Sequence, residues 1–306
     1  MSAPTFGITL PLSDVAAFAR LAEDLEYDYV TSGEHITFHG PQANAFVTLG
    51  VAAGATRRVQ LLSTVTLLAV YPAALAAKMA AMLDHLSNGR FNLGVGIGGE
   101  FPAEFEAAGI PVRQRASRTD EALQVVRRLL DGGSASFDGR YNSFRDITIE
   151  PQPIRRPLPI WIAGRKEPAM RRAARFGDAW LPYMYTPDQL VRSVESIERF
   201  TIEAGRAPGT VKPAVFSWAM AHPDGARARR VAADVVGETY RQDFSRLVDR
   251  YVIAGTPAEC RDRIRQFVDA GATTVILNPA CPPGDTADVA RRFAEDVIPD
   301  VRRVPV

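Results

Sequence analysis

Short apolar runs alternate with stretches of helical period along almost the whole chain. Phe6–Leu10 is the first run, and the segment behind it carries Val15, Phe18, Leu21, Ala22 and Leu25 on one face, with Ser13 placed to cap it. Tyr29-Val30 begins a second strand, and Val59–Leu68 gives a third, rich in β-branched and aliphatic residues. A helix from Ala73 to Leu86 leads to the strand Phe91–Ile97, and a further helical pattern runs from Ala116 to Leu130. Ile160-Trp161-Ile162, Ala179-Trp180-Leu181, Val211–Ala219 and Thr273–Leu277 complete a count of eight strands. Ala169–Phe176 fits a helix between two of them.

Two later helices are announced by capping boxes, Thr186-Pro187-Asp188-Gln189 and Thr256-Pro257-Ala258-Glu259. Each sets Thr at the cap, Gln or Glu three residues on, and Pro at the first helical position, where its missing N–H costs nothing. Residues 132–157 break the rhythm with an irregular section whose tail, Pro151, Pro153 and Pro157, is followed at once by Pro159. Residues 222–250 hold additional helical material. Eight strands alternating with helices predict an α/β fold, a (β/α)8 TIM barrel over residues 1–306 as one domain, with insertions after strands 4 and 7.

Composition narrows the function without naming it. The chain has 306 residues, 46% of them apolar, which suits a barrel of this size. A net charge of +1 supplies no long-range field for a polyanion, so nucleic acid is not an expected partner. Cys260 and Cys281 have neither metal nor redox spacing, which predicts no metal site and a reduced, cytoplasmic protein. Met1-Ser2-Ala3-Pro4 opens no signal peptide, and no apolar stretch is long enough for a membrane span.

Chemistry in such a barrel belongs where strands end. The fourth strand ends in Asn92-Leu93-Gly94-Val95-Gly96-Ile97-Gly98-Gly99, then Glu100. Gly94, Gly96 and Gly99 fit G-x-G-x-x-G, but Pro102 and Pro111 follow where a helix must open. Asp120, the nearest acid, sits in a helical pattern and not at a strand end. A dinucleotide fold is therefore set aside. Gly94 and Gly96 suit close packing, whereas Gly98 and Gly99 lie past the strand, where backbone N–H groups can meet phosphate oxygens.

The second strand ends at Thr31-Ser32-Gly33-Glu34-His35 and the fifth at Ala163-Gly164-Arg165-Lys166, just before a helix whose N-terminus suits a phosphate. Arg165 and Lys166 equally fit a solvated helix start. His35 is the best acid–base candidate among four histidines, set against simple solvation of a loop. Glu34 beside it is a catalytic or a structural carboxylate. His39 is read as a surface residue near the same mouth, His85 and His222 as structural or exposed, and Trp161 and Trp180 as barrel wall.

The run Leu83-Asp84-His85-Leu86-Ser87-Asn88-Gly89-Arg90-Phe91, continuing into Leu93-Gly94-Val95-Gly96-Ile97-Gly98, resembles the central signature of the bacterial luciferase-like superfamily. Glu34-His35, Glu104-Phe105 through Gly109-Ile110-Pro111 to Arg118, Pro151-Gln152-Pro153 to Arg165, and Ala173–Trp180 resemble further segments in the same order. The resemblance spans about Phe6 to Leu277. It implies a barrel, often dimeric, that binds coenzyme F420 or FMN. It also implies a non-prolyl cis peptide at the third strand end, here at Val65-Thr66, behind the cofactor ring. Val65, Thr66, Gly98, Gly99, Glu100, Ala163, Gly164, Arg165 and Lys166 are the cofactor positions it implies.

His35 maps to the proton donor or acceptor of deazaflavin members, with Glu34 where many of them carry Asp. The fifth strand ends in Gly164-Arg165 where Gly-Gly is common. Glu100 follows the glycines where an aromatic residue is frequent, which either widens the pocket or brings Glu100 to the substrate. The implied activity is an F420-dependent oxidoreductase exchanging hydride at the deazaflavin C5 with a small organic substrate. The alternative is an FMN-dependent monooxygenase using oxygen and reduced flavin from a partner reductase. A homodimer is expected, with Ala-rich helices at Ala45–Ala53 and Ala73–Met82 able to pack on a partner copy.

Overall fold

Alternation of side chains along the eight expected strands closes them into a barrel. The computed structural model describes residues 3–99 and 101–303. Thr5–Thr9, Tyr29–Ser32, Gln60–Ser63, Phe91–Gly96, Ile160–Ala163, Ala179–Leu181, Lys212–Ala221 and Thr274–Pro279 form the barrel in that order. All are parallel to their neighbours, and the last pairs with both the seventh and the first, so these eight strands close on themselves. Period-two alternation sends Leu62, Trp161, Ala179, Leu181, Ala214 and Ile276 into one interior cluster, joined by Tyr29 and Phe216. The opposite face of each strand, with Phe6, Ile8, Leu61, Phe91, Leu93, Ile160 and Ile162, is buried beneath the helices.

Both capping boxes form, at Thr186 and Thr256, with reciprocal bonds to Gln189 and Glu259. The first helix, Val15–Asp24, opens differently. Asp14 and not Ser13 is its boundary residue, in the left-handed region (φ 53°), and makes no side-chain cap. The expected strand Val59–Leu68 is broken. Gln60–Ser63 pairs with the fourth strand, then Thr66–Leu67 resumes, and a 3-10 turn occupies Leu68–Val70. Leu62 pairs with Asn92 and Thr66 with Val95, so four steps along one strand answer three on the other, which is a bulge.

The irregular section contains an antiparallel hairpin, Ala135–Asp138 with Ser143–Ile147, that hydrophobic pattern did not announce. After the seventh strand the insertion supplies helices Gly225–Tyr240 and Val248–Tyr251 and a short strand, Ile253–Gly255, that pairs with the seventh. Among the described residues no helix is long and apolar enough to cross a membrane.

The Asp84–Arg90 signature lies at the N-terminal face of the barrel and ties elements together there. Asp84 is fully buried, and its Oδ2 accepts from the backbone N–H groups of Ile154 (2.8 Å) and Arg155 (3.0 Å). The Arg90 guanidinium donates to Thr56 Oγ1 and to the carbonyls of Val59, Ala53 and Thr56 at 2.8–3.2 Å. On the outer surface, Val47 and Val51 of the helix Ala45–Ala55 are exposed, as is Leu75 of the helix Ala73–Leu86.

Candidate active site

At the opposite end of the barrel the second strand delivers Glu34 and His35 to different tasks, as adjacent residues at a strand end do. Glu34 is turned into the protein and nearly fully buried. Its Oε1 accepts from Leu67 N–H (2.9 Å), and its Oε2 from Tyr71 Oη (3.0 Å), Ala45 N–H (3.2 Å) and Asn44 Nδ2 (3.3 Å). Burial pushes the Glu34 carboxyl above its ordinary range, against the pull of these donors. The same burial, with the adjacent Glu34 charge, pushes the Tyr71 phenol well above its usual value, so Tyr71 is the donor of that pair. Glu34 thus fixes the bulge of the third strand to the start of the second helix.

His35 faces the mouth, with its side chain one-quarter exposed. Its Nδ1 lies 3.0 Å from Oε2 of Glu104, a carboxylate with no solvent exposure in the short helix Pro102–Ala107. The other oxygen, Oε1, is buried without a hydrogen-bond partner among the described residues. With Nδ1–H of His35 as donor to the Glu104 oxygen, Nε2 is left for an incoming group. Sequence spacing gave no reason to pair residues 35 and 104. The signal available was a Glu beside the apolar Phe105 in the loop after the fourth-strand glycines.

The glycines divide as packing demands. A Cβ on Gly94 would sit 1.8 Å from the Ser63 carbonyl oxygen, and one on Gly96 would sit 2.4 Å from Val65 Cγ2. These two glycines therefore accommodate the bulge. Ser63 makes reciprocal bonds to Gly94, donating to its carbonyl (2.9 Å) and accepting from its N–H (2.8 Å). A non-prolyl cis peptide joins Thr64 to Val65, one bond before the expected Val65-Thr66. The extra residue of the bulge sits earlier in the strand than the sequence alone could place it.

The hydroxyls of Thr64 and Thr66 are buried there with no partner among the described residues. Gly98 (φ 59°) and Gly99 (φ 106°) adopt left-handed backbone just past the strand. Arg115 holds this loop, donating from Nε to the Gly98 carbonyl (3.2 Å). Glu100 lies outside the described residues.

Ala163-Gly164-Arg165-Lys166 forms a turn with Lys166 as boundary residue of the helix Glu167–Phe176. Gly164 (φ 131°) is held by Trp180, whose buried Nε1–H donates to its carbonyl (2.8 Å). Trp180 is therefore wall and also support for the turn. Arg165 and Lys166 are exposed, and the Arg165 guanidinium lies over the Tyr183 ring at 4.6 Å. A helix N-terminus flanked by two cations suits an anionic group. Orphaned hydroxyls in the bulge, left-handed glycines past the neighbouring strand and this turn on the next strand together fit a ring-plus-phosphate cofactor across the mouth.

Aromatic rings complete the surroundings of His35. Phe38 stacks on the imidazole with centroids 4.6 Å apart, and Phe101 and Tyr240 lie 5.7 and 6.3 Å from Phe38. His39, read from sequence as a surface residue near the mouth, is exposed and packs edge-on against Phe101 at 5.2 Å. His85 is exposed on its helix, and His222 Nδ1 accepts from Asp224 N–H (2.9 Å). The structure thus brings His35 together with Glu104, while Glu34 stands behind the bulge.

Known proteins share this fold. A family model described as luciferase-like monooxygenase matches residues 2–274. A relative in Mycobacterium tuberculosis, named only as an uncharacterized protein, is 33% identical over 184 residues, covering 60% of this chain and 63% of the relative. The chain is also similar to an F420-dependent glucose-6-phosphate dehydrogenase of Beutenbergia cavernae, 28% identical over 327 residues and covering 94% of this chain and 93% of that one. Among solved structures, the monooxygenase RslO1 from Streptomyces bottropensis superposes with a TM-score of 0.86 at 25% identity, covering 97% of this chain and 99% of that one.

Proposed function

Because the chain belongs to the luciferase-like monooxygenase family, we propose that it is an oxidoreductase that works with coenzyme F420 on a small organic substrate. The observation that carries this reading is the His35–Glu104 pair, an imidazole at the mouth whose inner nitrogen is held at 3.0 Å by a fully buried carboxylate. Similarity to an F420-dependent dehydrogenase over more than nine-tenths of both chains supports the choice of cofactor.

When bound, coenzyme F420 supplies or accepts a hydride at C5. The bulge at Val65 and Thr66, with the Thr64 and Thr66 hydroxyls, would support the ring. Gly98 and Gly99 would approach it closely, and Ala163, Gly164, Arg165 and Lys166 would hold its phosphate. Glu104 fixes the His35 tautomer, so Nε2 takes the proton from a substrate hydroxyl or returns it to a carbonyl oxygen. Glu34 acts behind this as a positioning residue through Leu67 and Ala45. A homodimer across the second and third helices belongs to the same reading, supported by the exposed Val47, Val51 and Leu75.

Parallel titration of the apo-protein with coenzyme F420 and FMN tests the cofactor. Micromolar or tighter F420 binding with weak FMN binding is the expected result, and the reverse order overturns it. Similarity to the monooxygenase RslO1 favours a second reading, an FMN-dependent monooxygenase supplied with reduced flavin by a partner reductase. Oxygen consumption with reduced FMN and substrate separates the two.

A further inference from the structure

We propose that the substrate is a planar aromatic carbonyl compound, or the matching alcohol. The proposal rests on the functional reading above and adds the chemical class that the site selects. Phe38, Phe101, Trp218 and Tyr240 are each only partly buried, and they come from four places in the chain around one mouth. Phe38 follows the second strand, Phe101 follows the fourth, Trp218 lies within the seventh, and Tyr240 ends the helix inserted after it.

Their rings form a continuous series. Phe38 to Phe101 spans 5.7 Å, Phe38 to Tyr240 6.3 Å and Tyr240 to Trp218 6.4 Å between centroids. Phe38 is at the same time stacked on His35 at 4.6 Å, with planes 25° apart. A ligand lying along this series would therefore have its edge beside the imidazole that handles its proton. At these separations the rings touch one another, so Phe38, Phe101, Tyr240 and Trp218 form one aromatic wall beside His35. Each ring keeps part of its surface exposed, and a flat π-system pairs with such a wall through its quadrupole better than a saturated ring does.

Charge sorts the two sides of the mouth. Arg165 and Lys166 stand on the fifth-strand turn, on the side read as holding the cofactor phosphate. Arg115 is engaged by the carbonyls of Gly98 and Val112. The wall beside His35 is instead built from rings, which suits a neutral aromatic substrate over a sugar phosphate.

Equilibrium dialysis of the apo-protein against 2-naphthaldehyde and cyclohexanecarbaldehyde tests the assignment. The naphthyl probe is expected to bind about tenfold tighter, and Phe38→Leu or Phe101→Leu, which keep apolar volume and remove a ring, should each remove most of that preference. Phe38→Met gives a second check should either Leu variant melt early. Equal binding of the two probes by the wild type overturns the proposal, as does a preference that survives in all folded variants. F420 binding is measured on the same preparations. Absence of naphthyl selectivity in the wild type with F420 binding intact defeats only the substrate class, whereas wild-type naphthyl selectivity without F420 binding defeats only the cofactor reading.

Discussion

Arg90 at one end of the barrel and Glu104 at the other handle buried charge in opposite ways. At the N-terminal face the Arg90 guanidinium is occupied by five oxygens, from Ser87, Ala53, Thr56 and Val59. At the C-terminal face Glu104 keeps one buried oxygen without a partner among the described residues, and His35 keeps one nitrogen toward the mouth. Saturated polar groups stiffen a fold, while a partly satisfied pair retains capacity for an incoming molecule. The most recognisable run of the sequence thus belongs to the structural end, and chemistry falls to residues scattered over the other.

Breaking each end should give distinct losses. His35→Ala is expected to lower turnover by about 10²–10⁴-fold with cofactor affinity unchanged, because only proton transfer is removed. Steady-state kinetics beside a cofactor titration checks this, and unimpaired turnover would remove His35 from the mechanism. Arg90→Met should do the reverse, costing about 3 kcal/mol of stability in urea denaturation by leaving buried carbonyls unpaired. Turnover per folded molecule should persist in that variant.

Glu34→Gln sharpens the comparison, since this carboxylate is saturated like Arg90 yet sits at the reactive end. It should cost about 1–2 kcal/mol, because the amide presents N–H groups where Leu67, Ala45 and Tyr71 also donate. Its folded pKa is raised by burial, so the unfolded chain ionises first. Wild-type stability therefore falls as pH rises from the unfolded pKa, about 4.3, through the raised folded value. The gap between wild type and Gln variant should narrow over that range, and a gap that widens would contradict the burial argument. Lys166→Ala should have the smallest effect, about a fivefold weaker hold on the cofactor phosphate, shrinking further at high salt.

Much of the barrel was legible because period-two and period-3.6 patterns are local. The eight strands and the boxes at Thr186 and Thr256 needed only neighbouring residues. The hairpin at residues 135–147 was hidden by its polar outer face and the prolines behind it. His35, the Gly98-Gly99 loop and the turn at Ala163–Lys166 followed from the rule that strand ends carry chemistry, and their roles stand as proposals. Glu104 and the rings around Phe38 were not legible, since each contact spans tens to hundreds of residues and depends on how loops settle over the mouth. The bulge was mislocated by one bond because Ser63 substitutes its hydroxyl for a ladder partner, which no pattern of apolar residues records.

The helix Gly225–Tyr240 carries one ring of the mouth at its very end, on a segment that returns to the barrel through Ile253–Gly255. It enters and leaves beside the seventh strand, so it can be exchanged as a cassette while His35, Glu104 and the glycine loop stay in place. Grafting the corresponding stretch between relatives would then retune substrate choice as a module, with the proton-handling pair inherited unchanged.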